Sequence, residues 1–286
     1  DRVGFQTKKD AFNFVQCCRF YIEGAHSRGS RDAIDYNGRR VEARAYPISV
    51  DVEKIEALVE EPQVPLLKAQ LLNAIGDRKL ILRVDRIEPS KNILRGLEAY
   101  RSLLEMHPEH RGRVHMLALL VPSRMEVYEY QNYLQEIMAQ AGMINAEFSD
   151  EYWEPVRILV GENYSRALAA MQIYDVLLVN PIADGMNLVA KEGALVNQRD
   201  GVILLSEDAG AYYELGEHTL TVSPFDIYLT AEAMHRGLTM PAEERHARAE
   251  ALRRQVRGAD VRTWFRDQVE DALRAINSQD RNASTS

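Results

Sequence analysis

The chain has 286 residues, 46% of them apolar, and a formal net charge of −8 from 35 basic and 43 acidic side chains, enough to bury a sizeable core in one or two domains. Charges of both signs are mixed along the chain, which argues against a nucleic-acid or membrane surface. No apolar run approaches the roughly 18 residues that would span a bilayer, and the opening Asp1-Arg2-Val3-Gly4-Phe5 has no signal-peptide layout, so a soluble, cytoplasmic protein is expected.

The chain begins without methionine, in an apparent strand, and reads as a fragment of a longer protein. A helix is predicted from about Lys8 to Phe20, and it carries the only cysteines, Cys17 and Cys18. Adjacent cysteines rarely form a disulfide because the geometry is strained, and no second Cys or His pair sits at ligand spacing. Two ordinary helix cysteines in a reducing compartment are expected. Asn37-Gly38 marks a tight hairpin turn between Tyr36 and Arg40.

From Lys79 onward, apolar runs of strand length alternate with amphipathic stretches of helix length, the pattern of a doubly wound parallel sheet in an α/β fold. Strands are predicted at about 79–84, 114–121, 156–160, 175–180, 201–206 and 219–223. Helices fall between them near 91–107, 124–142, 164–173, 188–198, 209–216 and 227–238, giving the right-handed crossovers that such sheets require. A further helix follows Pro241, and a last amphipathic one runs from about Val261 to Ile276.

Three places along this pattern could carry chemistry. Arg86 and Lys91 follow the first of these strands and project from one sheet edge, where two cations suit a diphosphate; alone, they also fit a solvated loop. Arg124 follows Val114–Val121 and starts the next predicted helix; it could grip a phosphate or pair with Glu126 or Glu129. Asp184-Gly185-Met186-Asn187-Leu188-Val189-Ala190-Lys191-Glu192 lies at a strand–loop–helix junction, where free amides of a helix start can hold an anion or sugar hydroxyl and Glu192 lies about one turn in. Taken singly, Asp184 fits a turn or cap and Glu192 a first-turn residue favoured by the helix dipole. His26, His107, His110, His115, His218, His235 and His246 show no metal spacing and no nucleophile motif, so surface histidines and no metal site are expected.

Together with Arg86-Ile87-Glu88-Pro89-Ser90-Lys91, Pro122-Ser123-Arg124 and Gly4-Phe5-Gln6-Thr7, the run from Asp184 to Glu192 resembles the trehalose-6-phosphate synthase family of retaining glycosyltransferases. The resemblance extends from Gly4 to about Ile276. It implies a GT-B type fold of two facing Rossmann-like domains. On that basis residues 1–50 are the tail of the N-terminal acceptor-side domain, 51–78 a linker with a helix, and 79–260 a complete nucleotide-sugar-binding domain; 261–276 is a crossing helix and 277–286 a disordered tail.

The resemblance also implies roles. Arg86 and Lys91 would bind the donor phosphates and stabilise the leaving diphosphate, and Asp184 would hydrogen-bond the transferred glucose; these three are the catalytic candidates. Backbone amides of Gly185, Met186, Asn187, Leu188 and Val189 would contact sugar and phosphate oxygens. Glu192 would accept both ribose hydroxyls, a task suited to the two oxygens of a carboxylate, and Arg124 would clamp the acceptor phosphate. The implied reaction moves glucose from a nucleoside diphosphate glucose, a co-substrate, to glucose 6-phosphate with retention, giving α,α-trehalose 6-phosphate, with no cofactor, metal or protein nucleophile. The leaving phosphate takes the acceptor proton.

The family pattern Arg-x-Asp-Tyr-x-Lys-Gly is altered here to Glu88, Pro89 and Asn92. That keeps two alternatives open: another phosphorylated acceptor, or a regulatory protein that binds nucleotide sugar without turnover. Acceptor contacts of the other domain would lie upstream of Asp1, so the fragment alone is expected to be inactive. The donor base and the oligomeric state, including a homo-oligomer, stay open.

Overall fold

The computed structural model describes the backbone of residues 1–283 and the side chains of residues 1–276. The chain divides into two compact units, Asp1–Asp51 with the segment from Ala259 onward, and Val52–Gly258.

The first unit contains β1 (Arg2–Phe5), α1 (Lys8–Tyr21), β2 (Ala33–Tyr36) and β3 (Arg39–Ala45). Thr7 caps α1 by accepting from Asp10 N at 3.1 Å. β2 and β3 form the hairpin at Asn37-Gly38, both residues with positive φ, as a tight two-residue turn demands; β1 pairs with β3 in parallel. Cys17 and Cys18 are free thiols on α1.

In the second unit, α2 (Val52–Val59) and α3 (Gln63–Ile75) precede a sheet of β4 (Lys79–Arg86), β5 (Val114–Val121), β6 (Val156–Val160), β7 (Val176–Val179), β8 (Val202–Ser206) and β9 (Leu220–Val222). Between and after the strands come α4 (Ile93–Met106), α5 (Tyr128–Phe148), α6 (Tyr164–Met171), α7 (Leu188–Val196), α8 (Tyr212–Leu215), α9 (Ile227–Thr239) and α10 (Ala242–Gly258). The spatial order is β6-β5-β4-β7-β8-β9, with every pairing parallel. Counted within the unit this is the order 3-2-1-4-5-6 of a dinucleotide-type fold, whose ligand crevice opens at the carboxyl ends where the order reverses. Here that place lies between β4 and β7.

Both faces of the sheet are covered, which is why β7 and β8 are buried at every position. On α4, Ile93, Leu97, Tyr100 and Leu104 recur at helical spacing and are fully buried. The polar ends of two buried aromatics are satisfied together: Tyr100 Oη and Trp153 Nε1 both donate to the Val114 carbonyl at 2.9 Å.

Three elements depart from the sequence prediction. The helix expected at 124–142 is α5, Tyr128–Phe148, because Arg124 has φ +49° and Val127 is extended, so helical geometry cannot start before 128. The one expected at 209–216 is reduced to the single turn of α8. The last helix, α11 (Val261–Ala283), continues past the expected end at Ile276; no proline or glycine interrupts 277–283. The expected disordered tail therefore begins within a helix, and 284–286 lie outside the described residues.

One convergence was invisible in the spacing. His107 caps the C-terminus of α4 and its ring stacks on His235 of α9, with centroids 3.7 Å apart and planes at 10°. No helix among the described residues is long and apolar enough to cross a membrane.

Candidate functional site

The loop after β4 and the loop after β7 meet at the point where the strand order reverses. Ile182 N donates to Ser90 O at 2.8 Å, Asn92 Nδ2 donates to Asn180 O at 3.0 Å, and Lys91 Nζ pairs with Asp184 Oδ2 at 2.5 Å. Two of the three catalytic candidates are thus in direct contact across the crevice. Arg86, the third, is 61% exposed and pairs with Glu88 Oε1 at 3.0 Å, so its guanidinium can turn to an incoming anion.

The altered loop residues have a physical account. Asn92, at the glycine position of the family pattern, has φ +60°, a left-handed conformation in which Asn is several-fold enriched over other non-glycine residues. Its buried side chain also donates to Pro224 O at 2.6 Å. Asn92 thus holds the left-handed conformation that ends the turn at Lys91. Glu88 holds Arg86 and accepts from Ser123 Oγ at 3.0 Å, linking the loops that follow β4 and β5.

Sequence reasoning missed the group beneath Lys91. Arg83, in the middle of β4, is 1% exposed; its Nε donates to Asp85 Oδ2 at 2.7 Å and its Nη2 to the Lys91 carbonyl at 2.6 Å. A Cβ at Gly96 would lie 2.1 Å from Arg83 Nη1, so any larger residue there would push the guanidinium out of its present place. Arg83 positions Lys91 from below.

The Asp184 loop is braced on its far side by the loop between β8 and α8. Asp184 N donates to Asp208 O at 3.2 Å, Gly210 N to Asp184 O at 2.9 Å, and Ala211 N to Met186 O at 2.7 Å. Asn187, at φ +71°, caps α7 by accepting from Ala190 N at 3.2 Å and donates to Asp184 Oδ2 at 3.1 Å. Gly185, Met186, Leu188 and Val189 line the turn into α7, whose first amides have no intrahelical acceptor. The two loops approach so closely that a Cβ at Gly210 would sit 2.0 Å from Gly185 O. Backbone cannot rotate aside as a side chain can, so Gly210→Ala is expected to cost about 1–3 kcal/mol, read as a lowered denaturation midpoint.

Lys191 was passed over in the sequence as part of the run. It is 1% exposed, and its Nζ reaches both Glu214 carboxylate oxygens at 2.9 Å, joining α7 to α8.

Two candidates share the carboxyl edge without touching Lys91 or Asp184. Glu192 lies one turn into α7 and accepts from Tyr164 Oη of α6 at 3.0 Å; burial pushes its pKa above the usual carboxylate value against the pull of that bond. Arg124 is exposed in the loop after β5, with its guanidinium 5.7 Å from the Tyr130 ring centroid and Nη1 donating to Tyr130 Oη at 3.1 Å rather than to Glu126 or Glu129.

The profile of glycosyltransferase family 20 matches residues 1–274. The chain belongs to glycosyltransferase family 20. It is 37% identical over 284 residues to the trehalose-6-phosphate synthase of Sodalis glossinidius, covering 98% of this chain and 59% of that protein. It is 34% identical over 283 residues to the bifunctional trehalose-6-phosphate synthase/phosphatase of Thermoproteus tenax, covering 98% of this chain and 38% of that one. The structure is similar, with a TM-score of 0.88 and 33% identity, to an α,α-trehalose-phosphate synthase (UDP-forming) from Burkholderia xenovorans in complex with glucose 6-phosphate. That match covers 95% of this chain and 60% of the other. This family 20 chain therefore spans about three fifths or less of the relatives' length, and its six-stranded parallel sheet belongs to a GT-B type fold.

Proposed function

We propose that this chain carries the donor-binding half of a retaining glucosyltransferase that moves glucose from UDP-glucose to glucose 6-phosphate, giving α,α-trehalose 6-phosphate and UDP. The observation that carries it is the Lys91–Asp184 pair at the reversal of strand order, with the exposed Arg86 beside it. A diphosphate arriving there takes Lys91 and Arg86, and a glucose hydroxyl takes the released Asp184 carboxylate. The first-turn amides of α7 and the Gly185–Val189 turn hold sugar and phosphate oxygens, Glu192 accepts the ribose diol, and Arg124 clamps the acceptor phosphate.

In the transfer, the bond from the anomeric carbon to the phosphate oxygen breaks and the bond to the acceptor hydroxyl forms on the same face. The acceptor proton passes to the departing phosphate. The fixed cations stabilise charge that grows on the diphosphate.

Calorimetric titration of the chain with UDP-, GDP- and ADP-glucose tests the donor half. UDP-glucose is expected to bind, and Lys91→Ala to weaken it roughly tenfold or more through loss of a charge-assisted bond. Equal affinity in the folded variant would remove Lys91 from the donor site, and a full-length protein that binds UDP-glucose without turnover would leave a regulatory role.

Glu192 adds a pH dependence. Its pKa is raised by burial, so as pH falls the carboxylate is lost at a higher pH than an ordinary glutamate would require, and with it the acceptor for the ribose hydroxyls. UDP-glucose affinity should fall on acidification in the wild type, while Glu192→Gln binds weakly and shows a flatter profile over the same range.

A further inference from the structure

We infer that Tyr164 is a positioning residue for the donor nucleotide: its hydroxyl fixes the Glu192 carboxylate to receive a ribose diol, and the site thereby selects ribonucleotides over their 2′-deoxy counterparts. This role rests on the donor reading above, in which Glu192 accepts the ribose hydroxyls. Tyr164 and Glu192 are 28 positions apart in the chain and meet because α6 and α7 bring them together.

The backbone of Tyr164 is fixed before its side chain is considered. Gly161, just after β6, has φ +136°, a conformation open to glycine and strained for other residues. Asn163 then caps α6 by accepting from Arg166 N at 2.8 Å. Tyr164 is the first residue of that helix, and its Oη donates to Glu192 Oε1 at 3.0 Å.

A carboxylate offers about four lone-pair sites on its two oxygens. The Tyr164 hydroxyl takes one on Oε1, which leaves Oε2 and a second site on Oε1 for a vicinal diol, so Tyr164 stays bonded when the nucleotide arrives. Holding the side chain beforehand removes the cost of ordering it on binding. The bond also favours the ionised form, in which both oxygens accept. Burial pushes the Glu192 pKa up and the Tyr164 bond pulls against it. Burial and the Glu192 charge raise the Tyr164 pKa, so the phenol keeps its proton and donates throughout the range in which Glu192 titrates. A 2′-deoxy donor brings one hydroxyl to a carboxylate set for two, and the unmatched acceptor is the source of discrimination.

The test is calorimetric titration of the chain with UDP-glucose and with its 2′-deoxyuridine analogue, from acid to neutral pH, for the wild type, Tyr164→Phe and Glu192→Gln. Tyr164 is 42% exposed and phenylalanine keeps the ring, so the variant is expected to fold. Tyr164→Phe should bind UDP-glucose roughly three- to tenfold more weakly at neutral pH, the net worth of one hydrogen bond. Its affinity should be lost on acidification at a higher pH than in the wild type, because the bond that favours the carboxylate is gone. The deoxy analogue should weaken less, so the preference for ribose shrinks. A folded Tyr164→Phe with the wild-type pH profile and the wild-type preference overturns the positioning role. Equal weakening toward both donors with an unmoved profile also overturns it, since lost packing would act that way. In either case weak binding by Glu192→Gln keeps the ribose reading, whereas wild-type affinity in Glu192→Gln overturns that reading and the Tyr164 role together.

Discussion

Arg83→Met should lower the stability of the sheet unit by about 3–5 kcal/mol, the range seen when one partner of a buried ion pair is removed. Arg83 and Asp85 are both buried on β4, and methionine leaves the Asp85 carboxylate without its 2.7 Å partner. The pH dependence identifies the cause. Burial already raises the Asp85 pKa while Arg83 and Lys91 oppose it, and removing Arg83 raises it further. A folded-state pKa above the unfolded value makes the carboxylate a burden once pH rises through it, so the defect is small in acid and large at neutral pH. A defect of equal size at both pH values would point to packing instead. Arg83→Lys keeps a charge but cannot serve Asp85 and the Lys91 carbonyl as the fork does. It should fold better than the methionine variant and still bind UDP-glucose more weakly than the wild type, which separates positioning of Lys91 from bulk stability.

The parallel sheet was legible because its strands are buried on both faces: runs such as Val176–Val179 and Val202–Ser206 cannot be exposed, and their alternation with amphipathic stretches leaves few architectures. That Lys91 and Asp184 would share one sheet edge was legible from their places after strands, whereas the roles expected of them came from the family resemblance. What escaped has a common cause. Arg83 and Lys191 are charged residues in apolar surroundings, and their partners, the Lys91 carbonyl and Glu214, are fixed by crossings of the chain and not by spacing. The start of α5 was misplaced because nothing local marks Arg124 as left-handed. His107 and His235 meet only because α4 packs on α9, a contact that no periodicity encodes.

The other large effect is expected at Lys191. Lys191→Met removes a buried ammonium that both oxygens of the half-buried Glu214 receive at 2.9 Å, and up to about 3–5 kcal/mol, the range for a fully buried pair, should be lost. For a unit of this size that is a fall in Tm on the order of 10 °C. The charge-removing double variant Lys191→Met with Glu214→Leu should recover part of it, since the cost lies mainly in stranding one charge and not in forgoing the pair. The functional consequence follows from where the pair sits. α8 continues from the Ala209–Ala211 segment that braces Asp184 and Met186, so loosening α7 from α8 frees both walls of the turn proposed to hold the sugar. Donor affinity should therefore drop in the single variant even at temperatures where it stays folded, and return with the double variant. A single variant that melts early yet binds UDP-glucose with wild-type affinity when folded would confine Lys191 to stability and leave the turn's geometry to Gly210 and Asn187.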